Sequence, residues 1–182
     1  MPSPDWSAAR AQMHLDPTVT MLNTGSFGPQ PKPVFDRANE FRLKLAAGPT
    51  DFYLRQVPPA LWHADICSWL AVPAAIDFQA ALGWENVRAR MAELAAFTRR
   101  TIGGTGLVLA TPTNPELHGA MTAFNLPVGS DASRLRRELW NRRIEVPIIE
   151  RPDRLLLRVS HHFYTTEAEI ECLVDTLRTI IG

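Results

Sequence analysis

Apolar residues recur at three- and four-residue intervals along several stretches of this chain and form short continuous runs between them. The helical spacing predicts helices at residues 5–14, 34–48, 68–82, 84–102 and 166–181. Short apolar runs bounded by turn-forming residues predict strands at residues 18–23, 107–111, 120–126, 145–149 and 155–160. A cap at Ser130 or Asp131 predicts one more helix, which ends near Arg143.

This order of elements predicts an α+β fold. We expect a small, mostly antiparallel sheet of about four strands, covered by helices on one face. Most of the strands follow residue 64, so residues 65–182 are predicted to be a folded unit. Residues 1–64 are predicted to form an N-terminal arm of helices and turns, with little apolar surface of its own to pack against.

Composition and charge exclude several classes of function. The chain has 182 residues, 46% of them hydrophobic, and 19 basic side chains balance 19 acidic ones. Zero net charge argues against a nucleic acid or a membrane surface as the partner. No apolar run is long enough to span a bilayer, residues 1–10 lack the pattern of a signal peptide, and the two cysteines are too few for a disulfide scaffold. These features predict a cytoplasmic protein with free thiols.

Most local motifs favour a structural interpretation. The glycines at residues 103–106 follow a helix and precede a strand, which is the reverse of a phosphate-binding loop. Cys67 and Cys172 lie on predicted helices among apolar neighbours, as small core residues do. The adjacent His161 and His162 would point to opposite faces of a strand, so a shared metal ion is disfavoured.

Arg158 is the candidate that local pattern leaves open. It lies inside the otherwise apolar strand 155–160. A guanidinium buried without a partner costs several kcal/mol. Arg158 is therefore expected either to pair with an internal carboxylate or to present its donors to an anion in a cleft, such as a substrate carboxylate.

Two groups of motifs resemble a known family. The segment MLNTGSFGP at residues 21–29, with GPTDF at 48–52, resembles the N-terminal part of isopenicillin N epimerase-like enzymes. The segments WLAVPAAIDF at 69–78, RRIEVP at 142–147, LRVS at 157–160 and YTTEAE at 164–169 resemble the C-terminal small domain of the same family. These enzymes are class V aminotransferases, which depend on pyridoxal phosphate (PLP).

The resemblance implies roles for four residues. In the family, the arginine of the closing motif binds the α-carboxylate of the substrate, and Arg158 occupies that position. The Asn-x-Gly-Ser segment lies near the active site, which gives Asn23, Gly25 and Ser26 a weaker role on the substrate side. Thr165 stands where the family usually has asparagine.

The resemblance also implies that a large part of the family's enzyme is missing. Family members are about twice as long, and the large domain that binds PLP and supplies the Schiff-base lysine has no counterpart between the arm and the small domain. The chain has two lysines, Lys32 and Lys44, and neither follows a histidine. Because PLP is the electron sink of this chemistry, we expect no catalysis by this chain alone and doubt that it binds PLP.

Three functions remain open at this point. The first is a truncated relative that keeps the arginine and binds small amino or carboxylic acids. The second is an active PLP enzyme acting on amino acids through Lys32 or Lys44. The third is a non-catalytic module that associates with full-length relatives. A homodimer or other self-association is also expected, because aromatic residues are predicted to form an exposed apolar surface: Trp6, Phe27, Phe52, Tyr53 and Trp62.

Overall fold

The computed structural model describes residues 4–59 and 66–181. Within the arm lie helix α1 (Trp6–Ala11), strand β1 (Thr20–Met21), helix α2 (Lys32–Ala47) and a short turn of helix, α3 (Pro49–Asp51), which continues as a π-helix (Phe52–Gln56). The rest of the chain contains α4 (Ile66–Leu70), α5 (Val72–Leu82), α6 (Trp84–Gly103), β2 (Val108–Leu109), a 3-10 turn (Pro115–Leu117), β3 (Met121–Asn125), α7 (Ala132–Asn141), β4 (Ile144–Glu145), β5 (Ile148–Arg151), β6 (Arg154–Ser160) and α8 (Glu167–Ile181).

The predicted α+β fold is confirmed. The larger sheet has four antiparallel strands in the order β2-β3-β6-β5. Its apolar core includes Phe124 and Leu157, which are paired across β3 and β6 and fully buried against helical residues such as Leu94 and Leu173. One face of this sheet therefore packs on helices, as the alternation of buried and partly exposed residues along β6 requires.

Local sequence signals explain several boundaries. The Asp131 carboxylate accepts the amide of Arg134 at 3.0 Å and so caps α7. Thr166 and Glu169 form a capping box at the start of α8, in which each side chain accepts the backbone amide of the other. Gly104 ends α6, which confirms that the glycine run terminates a helix.

The strand predicted at residues 145–149 is wrong in one respect, because two short strands take its place. β4 and β5 are interrupted at Val146 and Pro147. Proline has no amide hydrogen to donate to a ladder, so it ends the pairing there. The Pro147 carbonyl still accepts the amide of Arg158 at 3.1 Å.

Before this interruption, β4 pairs with a strand of the arm and not with β6. β1 runs parallel to β4, with Thr20 beside Ile144 and Met21 beside Glu145. The next residue, Leu22, accepts the amide of Ser160 at 3.0 Å, and Asn23 forms a parallel bridge with Ser160. The strand predicted in the arm is therefore present in shorter form beside β4, and the arm adds a single bridge beside the end of β6. The sequence did not predict either pairing.

The arm also packs more closely on the rest of the chain than the sequence indicates. Leu22 is fully buried in the main core. Ala9 and Met13 lie in a second cluster with Val87 and Phe163. The boundary predicted at residues 64 and 65 lies outside the described residues, and the division into two domains stays a prediction.

Several predicted surface and core positions are corrected. Phe52 is buried with Ile66 and Cys67 rather than exposed. Cys172 is exposed on α8, whereas Cys67 is buried as predicted. Trp6 and Tyr53 are half-buried, Phe27 is exposed as predicted, and Trp62 lies outside the described residues.

Among the described helices, none is both long and apolar enough to cross a membrane by itself. One pair of helices, Ile66–Leu82 and Trp84–Gly103, passes that test jointly but is bent by 72°.

Replacing Leu22 by alanine tests whether the arm is part of the core. Leu22 is 0% exposed, so Leu22→Ala is expected to lower the free energy of unfolding by about 2–5 kcal/mol, through lost burial and the cavity it leaves. Urea unfolding followed by circular dichroism measures the change. Leu43→Ala, on a side chain that is 71% exposed, is the matched control and should change stability by less than about 0.5 kcal/mol. Equal effects of the two substitutions would contradict this placement of the arm.

Candidate functional site

Arg158 lies on the face of the sheet that the helices do not cover. Its neighbours along β6, Leu157 and Val159, are fully buried on the helix-covered face. Successive side chains of a strand point to opposite faces, so Arg158 is directed away from the helices, beside its cross-strand partner Ala123. Because this face of the sheet is not covered by helices, an otherwise apolar strand can carry a half-buried guanidinium.

Arg158 is held by neutral oxygens and not by a carboxylate. Its Nη2 donates to Ser26 Oγ at 2.7 Å and lies 3.4 Å from Asn23 Oδ1. Its Nε is buried and has no acceptor among the described residues. Within the described chain Arg158 forms no ion pair, although other half-buried arginines do: Arg10 with Glu169 and Arg90 with Glu167. Of the two expectations for Arg158, an internal carboxylate partner is therefore excluded among the described residues.

The insertion of the arm beside β6 brings Asn23 and Ser26 to Arg158. Asn23 is bridged to Ser160, which lies two residues after Arg158 and so on the same face of β6. The backbone then turns, because the Asn23 carbonyl accepts the amides of Ser26 and Phe27 at 3.1 and 3.0 Å. This turn places the Ser26 hydroxyl on the guanidinium.

Gly25 is required for the close approach of this turn to the sheet. A Cβ atom at Gly25 would lie 2.8 Å from Ser160 Oγ and 3.1 Å from the sulfur of Met121. Ser160 is buried there, and its hydroxyl has no partner among the described residues. All four predicted site residues therefore come together: Asn23 and Ser26 contact Arg158, and Gly25 acts by its lack of a side chain.

Glu145 is a part of this site that sequence reasoning missed. Its Oε1 accepts from Asn23 Nδ2 at 3.2 Å. The carboxamide of Asn23 thus faces Arg158 with its oxygen and Glu145 with its nitrogen, which is the orientation that suits both partners. The only available signal was its place in the RRIEVP segment, and a single glutamate in a short predicted strand is not distinctive by itself.

His161 and His162 directly follow β6, and His161 is buried whereas His162 is half-buried. His161 Nε2 lies 2.8 Å from the hydroxyl of Thr98, and burial, with a smaller effect of Arg99, lowers the pKa of His161 to about 4. Burial also lowers the pKa of His162, whose ring stacks on Tyr164. No group of three or more His, Cys, Asp or Glu side chains that could hold a metal ion occurs among the described residues.

The lysines do not fit the role of a PLP anchor. Lys32 Nζ donates to the Ala11 carbonyl at 2.8 Å, and the Lys44 ammonium lies 5.5 Å from the centre of the Phe41 ring. Neither lysine lies against Arg158, and the glycines at residues 103–106 follow a helix rather than open one. Among the described residues, neither lysine is placed as a Schiff-base anchor beside the candidate site, and the glycine run at 103–106 is not a phosphate cradle.

Curated relatives confirm the resemblance that the motifs indicated. The isopenicillin N epimerase of Amycolatopsis lactamdurans is 58% identical over 118 residues, which cover 64% of this chain and 30% of the relative. The isopenicillin N epimerase of Streptomyces clavuligerus is 51% identical over 120 residues, which cover 65% of this chain and 30% of that relative. The chain thus spans about 30% of the length of the curated relatives it matches. No protein-family model matches it.

Solved structures show the same fold at low sequence identity. A cysteine desulfurase from Thermococcus onnurineus superposes with a TM-score of 0.56 and 18% identity over 64% of this chain and 31% of that one. A lysine-to-alanine variant of the C-DES protein, with glycine linked covalently to its PLP cofactor, has the same TM-score and identity and covers 65% of this chain and 30% of its own. PLP is therefore the cofactor of a protein whose fold this chain shares.

The buried neutral His161 predicts a dependence of stability on pH. Between pH 6.5 and about 4 the unfolded chain takes up a proton that the folded chain does not, so folding stability is lost as the pH falls through this window. We expect the free energy of unfolding to fall by about 2–3 kcal/mol more between pH 7 and pH 4.5 in the native chain than in His161→Gln. Urea unfolding at a series of pH values measures this difference.

The control for this prediction is His118→Gln, since His118 lies in the loop between β2 and β3 and not in the buried core. It should retain the native pH profile. An unchanged profile in His161→Gln would contradict the assignment of a buried neutral imidazole.

Proposed function

We propose that this chain binds small amino or carboxylic acids at Arg158 and does not itself catalyse a reaction on them. In this proposal it is a truncated relative of the PLP-dependent class V aminotransferases and isopenicillin N epimerases. It corresponds to the N-terminal arm and the small domain of those enzymes. The large domain that carries the cofactor is not represented between them.

The observation that carries the proposal is the set of partners around Arg158. The guanidinium is fixed by Ser26 Oγ at 2.7 Å and by Asn23, yet no described carboxylate neutralises it. A charged group that is half removed from water gains most from a partner of opposite charge. An anionic oxygen pair offers the planar, bidentate geometry that a guanidinium matches best.

The absence of catalysis in the proposal follows from the chemistry of the site. Breaking a bond at the α-carbon of an amino acid needs an electron sink, which PLP supplies in the enzymes that this chain resembles. The groups that contact Arg158 are a hydroxyl and a carboxamide, and neither takes up an electron pair. Arg158, Asn23 and Ser26 can therefore bind and orient a carboxylate without acting further on it.

Binding of acetate and glycine to the full chain, measured by titration calorimetry, tests the proposal. Arg158→Gln is expected to weaken both by at least about tenfold, since it removes the charge, and Arg158→Lys by less. Arg154→Gln, on an exposed side chain of the same strand, is the matched control and should bind as the native chain does. Equal affinity of the native chain and Arg158→Gln, or no binding by the native chain at millimolar concentrations, would contradict the proposal.

A second candidate function is association with a full-length relative. The open sheet face favours it, because Val108 and Met121 on that face are 67% and 49% exposed, and Phe27 beside it is 72% exposed. Contiguous apolar surface of this kind is typical of protein–protein contacts. The part of the relatives that this chain does not match is long enough to supply a covering domain. The homodimer expected from the sequence would form through the same face, with a second copy of this chain in place of the full-length relative.

Light scattering after size-exclusion chromatography tests this candidate. The chain is measured alone and mixed with the full-length Amycolatopsis lactamdurans epimerase. We expect a complex that Met121→Asp weakens by at least about tenfold, because a charge would be buried in an apolar contact. Leu43→Asp, which places the same charge on an exposed site of α2, should leave the complex intact. A monomer that forms no complex at high concentration would rule the candidate out.

A further inference from the structure

A cavity of about 480 Å³ lies between the arm and the end of α7 and is separate from the surroundings of Arg158. Neither Arg158 nor Ser26 lines it. Glu145 does line it, but the buried carboxamide of Asn23 lies between Glu145 and Arg158. A volume of this size is in the range of small-molecule sites. The cavity is therefore a second candidate for ligand binding, independent of the carboxylate site proposed above.

Most of the cavity wall is apolar, and two aromatic rings belong to it. The apolar side chains in the wall are Leu15, Val19, Met21, Phe27, Pro29 and Trp140. Phe27 is 72% exposed and Trp140 is 48% exposed, so the described residues leave much of both rings uncovered. A hydrocarbon or aromatic group that covers these rings removes apolar surface from water. The wall thus favours a ligand with an apolar body.

The charged side chains in the wall are acidic. Asp16 and Glu145 line the cavity, and no arginine or lysine of the described chain does so. The hydroxyl and the amide of Thr18 donate to Asp16 Oδ1 at 2.6 and 2.8 Å, and these hydrogen bonds lower the pKa of Asp16. Both carboxylates give the cavity a negative potential, which attracts a cation and repels an anion.

Glu145 lacks a cationic partner within the described chain. It is half-buried, and its one side-chain hydrogen bond comes from Asn23 Nδ2, 3.2 Å from Glu145 Oε1. Its second oxygen, Oε2, forms no hydrogen bond with a described residue. Arg143 does not pair with it, because that guanidinium lies 5.1 Å from the centre of the Trp140 ring and 3.4 Å from the Thr18 hydroxyl. One oxygen of Glu145 is therefore held in place and the other is available to a ligand.

The strand pairing places this carboxylate beside the apolar wall. Met21 and Glu145 are partners in the parallel pairing of β1 with β4, so their side chains are neighbours on one face. Trp140 lies near the end of α7, which leads directly into β4. An ammonium group that donates to Glu145 Oε2 thus has its hydrocarbon part next to Met21 and within the cavity that Trp140 lines.

We propose that this cavity binds a primary amine that carries an aromatic body, an arylalkylammonium ion. Glu145 accepts from the ammonium group, and Met21, Phe27 and Trp140 contact the aromatic part. The charge-assisted hydrogen bond and the apolar contact act on opposite ends of the ligand, so tight binding needs both. The ligand needs no carboxylate, because the site contains no cation to receive one.

Four probes test the proposal by titration calorimetry with the full chain: 2-phenylethylamine, 2-phenylethanol, 3-phenylpropanoate and ethylamine. 2-Phenylethylamine is expected to bind at least about tenfold more tightly than each of the others. The alcohol has the ring without the charge, the propanoate has the opposite charge, and ethylamine has the charge without the ring. Equal binding of 2-phenylethylamine and 2-phenylethanol, or no binding of 2-phenylethylamine at millimolar concentrations, would overturn the proposal.

Two substitutions separate the charge from the ring. Glu145→Gln should weaken 2-phenylethylamine by about tenfold and leave 2-phenylethanol unchanged, since only the amine uses the charge. Trp140→Ala should weaken both by at least about threefold, since both use the apolar wall. Glu145→Asp and Trp140→Phe keep the charge and the aromatic ring and should retain part of the affinity. Unchanged binding of 2-phenylethylamine by Glu145→Gln would contradict the cation site.

Matched controls exclude general damage to the fold. Glu116→Gln removes an exposed carboxylate that does not line the cavity. Trp84→Ala removes an indole that is 49% exposed, against 48% for Trp140, and that also lies outside the cavity wall. Both variants should bind 2-phenylethylamine as the native chain does. A loss of binding in either control equal to that in Glu145→Gln or Trp140→Ala would contradict the placement of the site.

Competition with acetate distinguishes this site from the proposed carboxylate site. 2-Phenylethylamine is titrated into the native chain in the presence of acetate and, as the control for ionic screening, of chloride at the same concentration. Equal affinity in the two salts is expected, because the ligands occupy different places. Displacement by acetate alone would show a shared site and overturn this inference. Binding of the amine by a chain that does not bind acetate would refute the carboxylate site and leave this one in place.

Discussion

The structure depends on one exchange of strand partners along β6. β5 pairs with β6 as far as Leu157, Pro147 then breaks the ladder, and the arm takes over as the partner at Ser160. Because side-chain direction alternates along a strand, this exchange fixes which face Asn23 occupies. A shift of one residue would turn Asn23 into the core and expose Leu22. The candidate site is therefore a consequence of the register between two segments that lie far apart in the chain.

The arginines differ in whether a carboxylate of the described chain pairs with them. Arg10 and Arg90 are part-buried and join the arm and α6 to the start of α8 through Glu169 and Glu167. These pairs are complete within the fold. Arg158 is similarly withdrawn from water, but its partners are uncharged. The contrast is what makes Arg158 a candidate for an external anion.

Local patterns were sufficient for most of the elements but not for the site. The helices, the sheet face covered by them, the capping box at Thr166 and the glycine stop after α6 follow from periodicity and end signals. The proline at 147 carried enough information to predict the break between β4 and β5. The contact between Asn23 and Arg158 did not follow from local pattern, because it depends on a long-range parallel pairing, and the resemblance alone pointed to it. Glu145 was missed because a carboxylate becomes notable only when its surroundings show that no cation pairs with it.

The central claim, that Arg158 is an anion site, can be observed directly in the guanidinium resonances of the 15N-labelled chain. The Arg158 Nε signal is assigned by its loss in Arg158→Lys and followed during a titration with glycine. The account predicts that this signal shifts along a saturable curve while those of Arg10 and Arg90, already paired with carboxylates, stay in place. A stationary Arg158 signal, or equal and unsaturated shifts of all three, would contradict it.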